Sequence, residues 1–266
     1  MTVKVSLSHI TEFNYDRFVC LSPQIVRLKP APHCRTPISS YSLKIEPSSN
    51  FINWQQDPNS NHLARIVFKS PTKKFKITVG LIAEMISINA FDFFLEDCAV
   101  NFPFFYDVNL KKELIPFLEL SENGPILSAY IKKFQYRNGR TIDFLVEINK
   151  ILQESIKYVV RLEPGIQDCE KTLASREGSC RDTAWLLVNI LRQLGFASRF
   201  VSGYLIQLTP DKQLQGEKSG PASDFTDLHA WTEVYLPGAG WIGLDPTSGM
   251  LAGEGPTKIS PASSTA

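Results

Sequence analysis

The chain has 266 residues, 43% of them hydrophobic, and 28 Lys and Arg against 27 Asp and Glu leave a formal charge of +1. That is enough apolar material for one large folded core or two ordinary ones, and it supplies no broad positive field for nucleic acid or an anionic membrane surface, so neither is expected as a partner. The five cysteines, at 20, 34, 98, 169 and 180, form no Cys-x-x-Cys pair and are odd in number, which argues against a disulfide framework and a zinc site and for a reducing compartment.

The start of the chain alternates, Val3-Lys4-Val5-Ser6-Leu7, without the continuous apolar run of a secretory signal. The most apolar stretch, residues 79–95, is broken by Glu84, Asn89 and Asp92. A cytoplasmic protein without a membrane span, metal or cofactor is expected; the adjacent His33 and Cys34 lack the second pair that a metal site needs.

From residue 2 to about 105, short alternating runs separated by Pro, Asn and Ser predict strands over 3–7, 25–28, 40–45, 63–68 and 74–79, with turns at 57–61 and at Ser70-Pro71. Such strands imply an antiparallel β-sandwich. The period then changes. Ile126, Leu127, Tyr130, Ile131 and Phe134 recur at helical spacing, and Ile142, Leu145, Val146, Asn149 and Leu152 mark a second helix with Thr141 as its cap. The switch puts a boundary between residues 107 and 120, giving an expected β-rich domain over 1–110 and a helix-containing domain over 111–266.

A third helix is marked by Ala184, Leu187, Val188, Leu191 and Leu194, and stops at Gly195, a natural C′ residue. Ser179-Cys180-Arg181-Asp182 before that stripe has the form of a capping box and puts Cys180 on the first turn. Backbone N–H groups and the positive end of the helix dipole favour a thiolate there, and the same N–H groups can stabilise an oxyanion. The other reading of Cys180 is an inert, buried cysteine.

Residues 228–236, the turn Pro237-Gly238-Ala239-Gly240 and residues 241–247 read as a β-hairpin. His229 and Asp245 can then be neighbours on adjacent strands, joined by an Nδ1–H to carboxylate hydrogen bond. A symmetric four-residue loop would pair Leu236 with Trp241 and set Asp245 opposite Thr232, on the wrong face. The contact therefore requires an odd-length loop or a bulge, for which Gly240 and Gly243 are suited. Of the four histidines, His229 alone shares the helix-rich half with Cys180. Residues 209–226 form a polar stretch long enough for a lid or a surface insertion, and the tail from Gly253 reads as loop.

Arg176-Glu177-Gly178-Ser179-Cys180-Arg181-Asp182, Ser198-Arg199-Phe200-Val201-Ser202-Gly203-Tyr204, His229-Ala230-Trp231-Thr232-Glu233-Val234 and Gly240-Trp241-Ile242-Gly243-Leu244-Asp245-Pro246-Thr247 resemble, in order, the signature blocks of the transglutaminase-like superfamily of papain-fold cysteine enzymes. Tyr15-Asp16-Arg17-Phe18-Val19, Arg27-Leu28-Lys29-Pro30 and residues 54–61 are similar to the strand-rich N-terminal region of bacterial members. The resemblance implies an α+β fold, in which an N-terminal antiparallel β-sandwich precedes a papain-like core with its nucleophile at a helix N-terminus packed on an antiparallel sheet. It implies a Cys180, His229, Asp245 triad acting on protein or peptide amides. Tyr158, Trp231 and Ser179 are candidates for oxyanion or substrate binding.

Arg181, Thr183 and Trp185 depart from the family's usual Cys-Gln-Asp-Phe-Ala-His-type block, which leaves substrate preference open. Arg181 is either a charge beside the thiolate or a solvated surface residue. Hydrolysis is favoured over cross-linking, since water at about 55 M outcompetes an amine unless an acceptor site excludes it. A transglutaminase, a glycan-amide hydrolase and a binding module without turnover are the alternatives.

Overall fold

The computed structural model describes residues 3–86, 89–135, 137–208, 224–252 and 258–264. In the first part of the chain, β1 (Val3–Val19), β2 (Gln24–Val26), β3 (Ile38–Glu46), β4 (Asn50–Gln56), β5 (His62–Phe68) and β6 (Thr72–Met85) form antiparallel three-stranded sheets in the orders β1-β6-β3 and β2-β5-β4. Along β6, Phe75, Ile77, Val79, Leu81 and Ala83 point inward between more polar neighbours. The first three meet Val26, Ala64 and Ile66 of the other sheet in one apolar cluster. Each large side chain buried this way contributes roughly 1.5–3 kcal/mol, which makes the sandwich the stable arrangement of two one-sided sheets. The expected turn at 57–61 forms, with the Asp57 carboxylate accepting the N–H groups of Asn59 and Asn61, each at 2.9 Å. Strand β4 was not foreseen, because Asn-Phe-Ile-Asn-Trp-Gln-Gln carries no clean alternation and most of it is exposed.

The second part contains α1 (Val108–Leu118), α2 (Pro125–Ile131), α3 (Thr141–Ser155), α4 (Cys169–Ser175) and α5 (Cys180–Gln193). Short pairs join β7 (Asn101–Phe102) to β8 (Gly139–Arg140), and β9 (Lys157–Tyr158) to β10 (Glu177–Gly178). A five-stranded sheet is built from β11 (Ser198–Gln207), β12 (Phe225–Leu236), β13 (Gly240–Asp245), β14 (Met250–Leu251) and β15 (Lys258–Ser264), in the order β14-β13-β12-β11-β15. The chain divides into two compact units, residues 1–87 with 203–228 and 256–263, and residues 88–202 with 229–255 and 264–266. No helix among the described residues is long and apolar enough to cross a membrane.

Helix α5 is the axis of the second unit. Leu186, Leu187, Val188, Ile190 and Leu191 are fully buried, and they join residues of α2, α3, β12 and β13 in one core. The helix stops where Gly195 adopts φ +89°, with Gly195 N–H on Arg192 O and Phe196 N–H on Leu191 O, the paired bonds of a Schellman motif.

Some local expectations are corrected. Thr141 is the first helical residue of α3 rather than its cap, and its hydroxyl donates to Ala99 O at 2.6 Å, fastening the helix start to the preceding segment. Helices α1 and α4 were not read from the sequence; both are short, and α1 carries Pro116 inside it. The tail expected as loop contains β15. The stretch considered as a lid lies, over 209–223, outside the described residues.

Candidate active site

Cys180 is the first residue of α5 and is partly exposed. The capping box forms as the sequence predicts: the Asp182 carboxylate accepts the Ser179 N–H at 2.9 Å, and it also accepts the Ser179 hydroxyl at 2.7 Å. Ser179 is thus committed to the helix start, 4% exposed. Asp182 itself is 0% exposed. It is matched by Arg161, whose Nε reaches one carboxylate oxygen at 2.9 Å and whose Nη2 reaches the other at 3.0 Å, while Gln167 N–H adds a bond at 2.7 Å. Burial alone would raise this carboxyl; the Arg161 pair and the N–H donors outweigh it and hold the group down at about 2.

Arg161 was missed in the sequence. The available signal was Asp182 itself, since a buried acid at the third position of a helix with a long apolar stripe needs a cation, although it does not say which one. Arg181 is partly buried rather than a solvated surface residue. Its Nη2 donates to the carbonyls of Arg161 at 2.8 Å and Glu163 at 3.1 Å, so the side chain clamps the preceding loop onto the helix start. In that loop Tyr158 lies in register with Gly178, two residues before Cys180, and is 53% exposed.

The hairpin carrying His229 and Asp245 has the odd loop that the contact requires. Leu236 pairs with Gly240, and the register continues through Tyr235 with Trp241 to Thr232 with Leu244. Pro237, Gly238 and Ala239 make the loop: Ala239 N–H bonds Leu236 O at 3.0 Å, with Pro237 first and Gly238 at φ +87°, the residue choice of a type II turn. Gly240, at φ +74°, supplies the extra irregularity. Gly243 does not; a Cβ there would lie 2.4 Å from the Ala252 Cβ, so this glycine permits close packing instead of unusual backbone. Continuing the register sets Asp245 opposite Trp231, on the face shared with His229.

His229 Nε2 lies 3.1 Å from Asp245 Oδ2, and the two side chains are 9% and 4% exposed. The bonded nitrogen is Nε2, not the expected Nδ1. Since an ionised carboxylate only accepts, Nε2 carries the hydrogen of this bond. Asp245 is held in turn: Thr247 donates from its N–H at 3.0 Å and its hydroxyl at 2.5 Å to Oδ1, and Ser248 donates to Oδ2 at 2.8 Å. These two residues were also missed, although short hydroxyl side chains two and three positions after an Asp are a common turn signal. Trp231 is 3% exposed, its ring 6.5 Å from that of His229 and inclined by 23°, so it backs the imidazole. Thr232 donates to Ala184 O at 2.8 Å. Ala184 is about one turn beyond Cys180, and the bond brings the start of α5 against the strand that carries His229.

A buried helix that begins with a cysteine and packs on an antiparallel hairpin defines a papain-like core of the kind found in cysteine enzymes. Residues 129–246 match the transglutaminase-like superfamily, and residues 5–84 match the bacterial transglutaminase-like N-terminal region. The chain belongs to the transglutaminase-like superfamily, with the N-terminal region of its bacterial branch. A crystal structure of a candidate cysteine protease from Cytophaga hutchinsonii superimposes with a TM-score of 0.67 over 100% of this chain and 82% of that one, at 17% identity, a likeness of fold. The uncharacterized protein Rv2569c of Mycobacterium tuberculosis is 24% identical over 261 residues, 95% of this chain and 81% of that protein. A protein-glutamine gamma-glutamyltransferase of Pseudomonas aeruginosa is 33% identical over 78 residues, 27% of this chain and 10% of that protein.

Proposed function

We propose that the protein is a cysteine-dependent acyl-transfer enzyme acting on protein or peptide amides, with Cys180 as nucleophile, His229 as proton carrier and Asp245 as the residue that orients the imidazole. The observation that carries this reading is the buried His229–Asp245 pair at 3.1 Å on a hairpin hydrogen-bonded to Ala184, about one turn into the helix that Cys180 opens. The Cys180 thiolate adds to the amide carbonyl, and the C–N bond breaks as His229 Nδ1–H protonates the departing amine. That leaves a thioester on Cys180. Water, deprotonated by the now neutral Nδ1, resolves it to a carboxylic acid and restores the thiolate–imidazolium pair. Backbone N–H groups at the start of α5 are suited to the oxyanion, with the Tyr158 hydroxyl as a candidate second donor.

Hydrolysis is the preferred outcome on the concentration of water; the likeness to the Pseudomonas gamma-glutamyltransferase favours an amine acceptor as the second reading. Cys20, Cys98, Cys169 and Cys180 are free thiols, which suits a reducing, cytoplasmic setting. Casein incubated with the protein and a dansyl amine separates the outcomes: new peptide termini mark hydrolysis, and dansyl incorporation marks transfer to an amine. Both should vanish with Cys180→Ala. Turnover that survives this substitution would refute the proposal.

A further inference from the structure

Segment 158–162, which passes the start of α5, is laid out in a way that neither folding nor the triad explains. Tyr158, Val160 and Leu162 are 53%, 77% and 91% exposed, whereas the intervening Arg161 turns inward with its side chain 17% exposed. The alternation is that of an extended strand with one apolar face in water. Its position relative to Cys180 is fixed from both sides. Val159 N–H bonds Gly178 O at 3.0 Å, and Arg181 Nη2 bonds Arg161 O at 2.8 Å, so Val160 is carried past the helix start between contacts to positions 178 and 181.

The segment is also held against collapse. Arg161 is pinned by both oxygens of the buried Asp182 carboxylate and by Gly165 O at 2.9 Å, and Arg181 adds the bond to Glu163 O. Exposed aliphatic side chains forgo the free energy that burial would release. Here a bidentate ion pair keeps two of them in water beside the candidate nucleophile. Charges flank the face, with the Lys157–Glu177 pair at 3.0 Å at one end and Glu163 at the other, so the apolar patch has a polar rim.

We infer that Val160 and Leu162 form the wall that selects the acyl donor, and that they take a bulky aliphatic or aromatic side chain next to the scissile carbonyl rather than a charged one. This rests on Cys180 as the nucleophile and adds a substrate class to it. Arg161 is the positioning residue of the wall.

The test needs no natural substrate. Full-length protein is treated with chloroacetamide or N-hexylchloroacetamide, and alkylation is followed at each cysteine by mass spectrometry, with rates normalised to those on free glutathione. The hexyl reagent should be preferred about tenfold at Cys180 and not at Cys20 or Cys98. Val160→Ser and Leu162→Ser, both substitutions at exposed positions, should each lower that preference about threefold, and the double variant should bring it close to one. A wild-type preference near one, or a preference unchanged in the double variant, overturns the wall. The chloroacetamide rates test the catalytic reading separately: if Cys180 reacts no faster than Cys20, Cys180 is not an activated nucleophile, whereas the hexyl preference still decides whether an apolar wall stands beside it.

Discussion

Cys169 and Cys180 each open a helix, α4 and α5, and each has a capping carboxylate close by, Asp168 accepting Lys171 N–H in the first and Asp182 accepting Ser179 N–H in the second. Their surroundings differ. Cys169 is 1% exposed, its N–H is bonded to Glu122, and burial, reinforced by Glu122, Asp168 and Glu170, pushes its thiol far above the ordinary range. Cys180 is partly exposed, and the one acid beneath it is matched by a guanidinium with two hydrogen bonds. A helix N-terminus is therefore not what distinguishes these two thiols. Access to solvent and the local balance of charge do that.

The strongest way to break the contrast is to remove each sulfur in turn. Cys180→Ala should lower turnover at least 10³-fold, as loss of a nucleophile does, measured as kcat on a fluorogenic peptide amide. The same assay on Cys169→Ser should stay within about threefold, with the cost appearing in stability. Next in size is the charge balance under Cys180. Arg161→Gln leaves a buried, unpaired carboxylate and should cost about 3–5 kcal/mol in urea unfolding, with part of it recovered in Arg161→Gln combined with Asp182→Asn. A double variant as unstable as the single one would show that the guanidinium acts by packing and not by charge.

Much of this site was legible because it rests on local chemistry. The apolar stripe of α5, the Ser179 to Asp182 box and Gly195 each act within a few residues, and they appear as read. The odd loop of the β12–β13 hairpin followed from parity alone, and Leu236 pairing with Gly240 realises it. What stayed hidden is set by partners distant in the chain. Nothing near Asp182 announces Arg161, and nothing near His229 says which ring nitrogen meets the carboxylate, because ring rotation and packing against Trp231 decide that. Gly243 was read for its backbone freedom, yet its role comes from Ala252, which reaches it only once β14 has folded back.

Smaller effects sharpen the picture. Asp245→Asn keeps the shape but not the charge and should reduce kcat about 10²-fold with KM little changed, as expected of a group that orients and stabilises the imidazolium. Acid should erode the Asp182 cluster in a defined window. Its folded carboxyl, at about 2, lies below the ordinary 3.8, so its contribution is complete above 3.8 and is lost as pH falls towards about 2. Urea midpoints followed from pH 5 to 2 should fall less steeply in Asp182→Asn than in the wild type. Last, Cys169→Ser places a hydroxyl in an apolar, acid-lined pocket and should cost about 1–3 kcal/mol.

The central claim is that the thiol at 180 and the imidazole at 229 work as one unit. Iodoacetamide labelling at neutral pH, resolved by cysteine in the mass spectrometer and repeated with His229→Ala, tests it directly. The account predicts that Cys180 is modified at least tenfold faster than Cys20 and Cys98, and that the advantage falls about tenfold when the ring is removed. Labelling of Cys180 that is no faster than its neighbours', or that does not change in the variant, would contradict it.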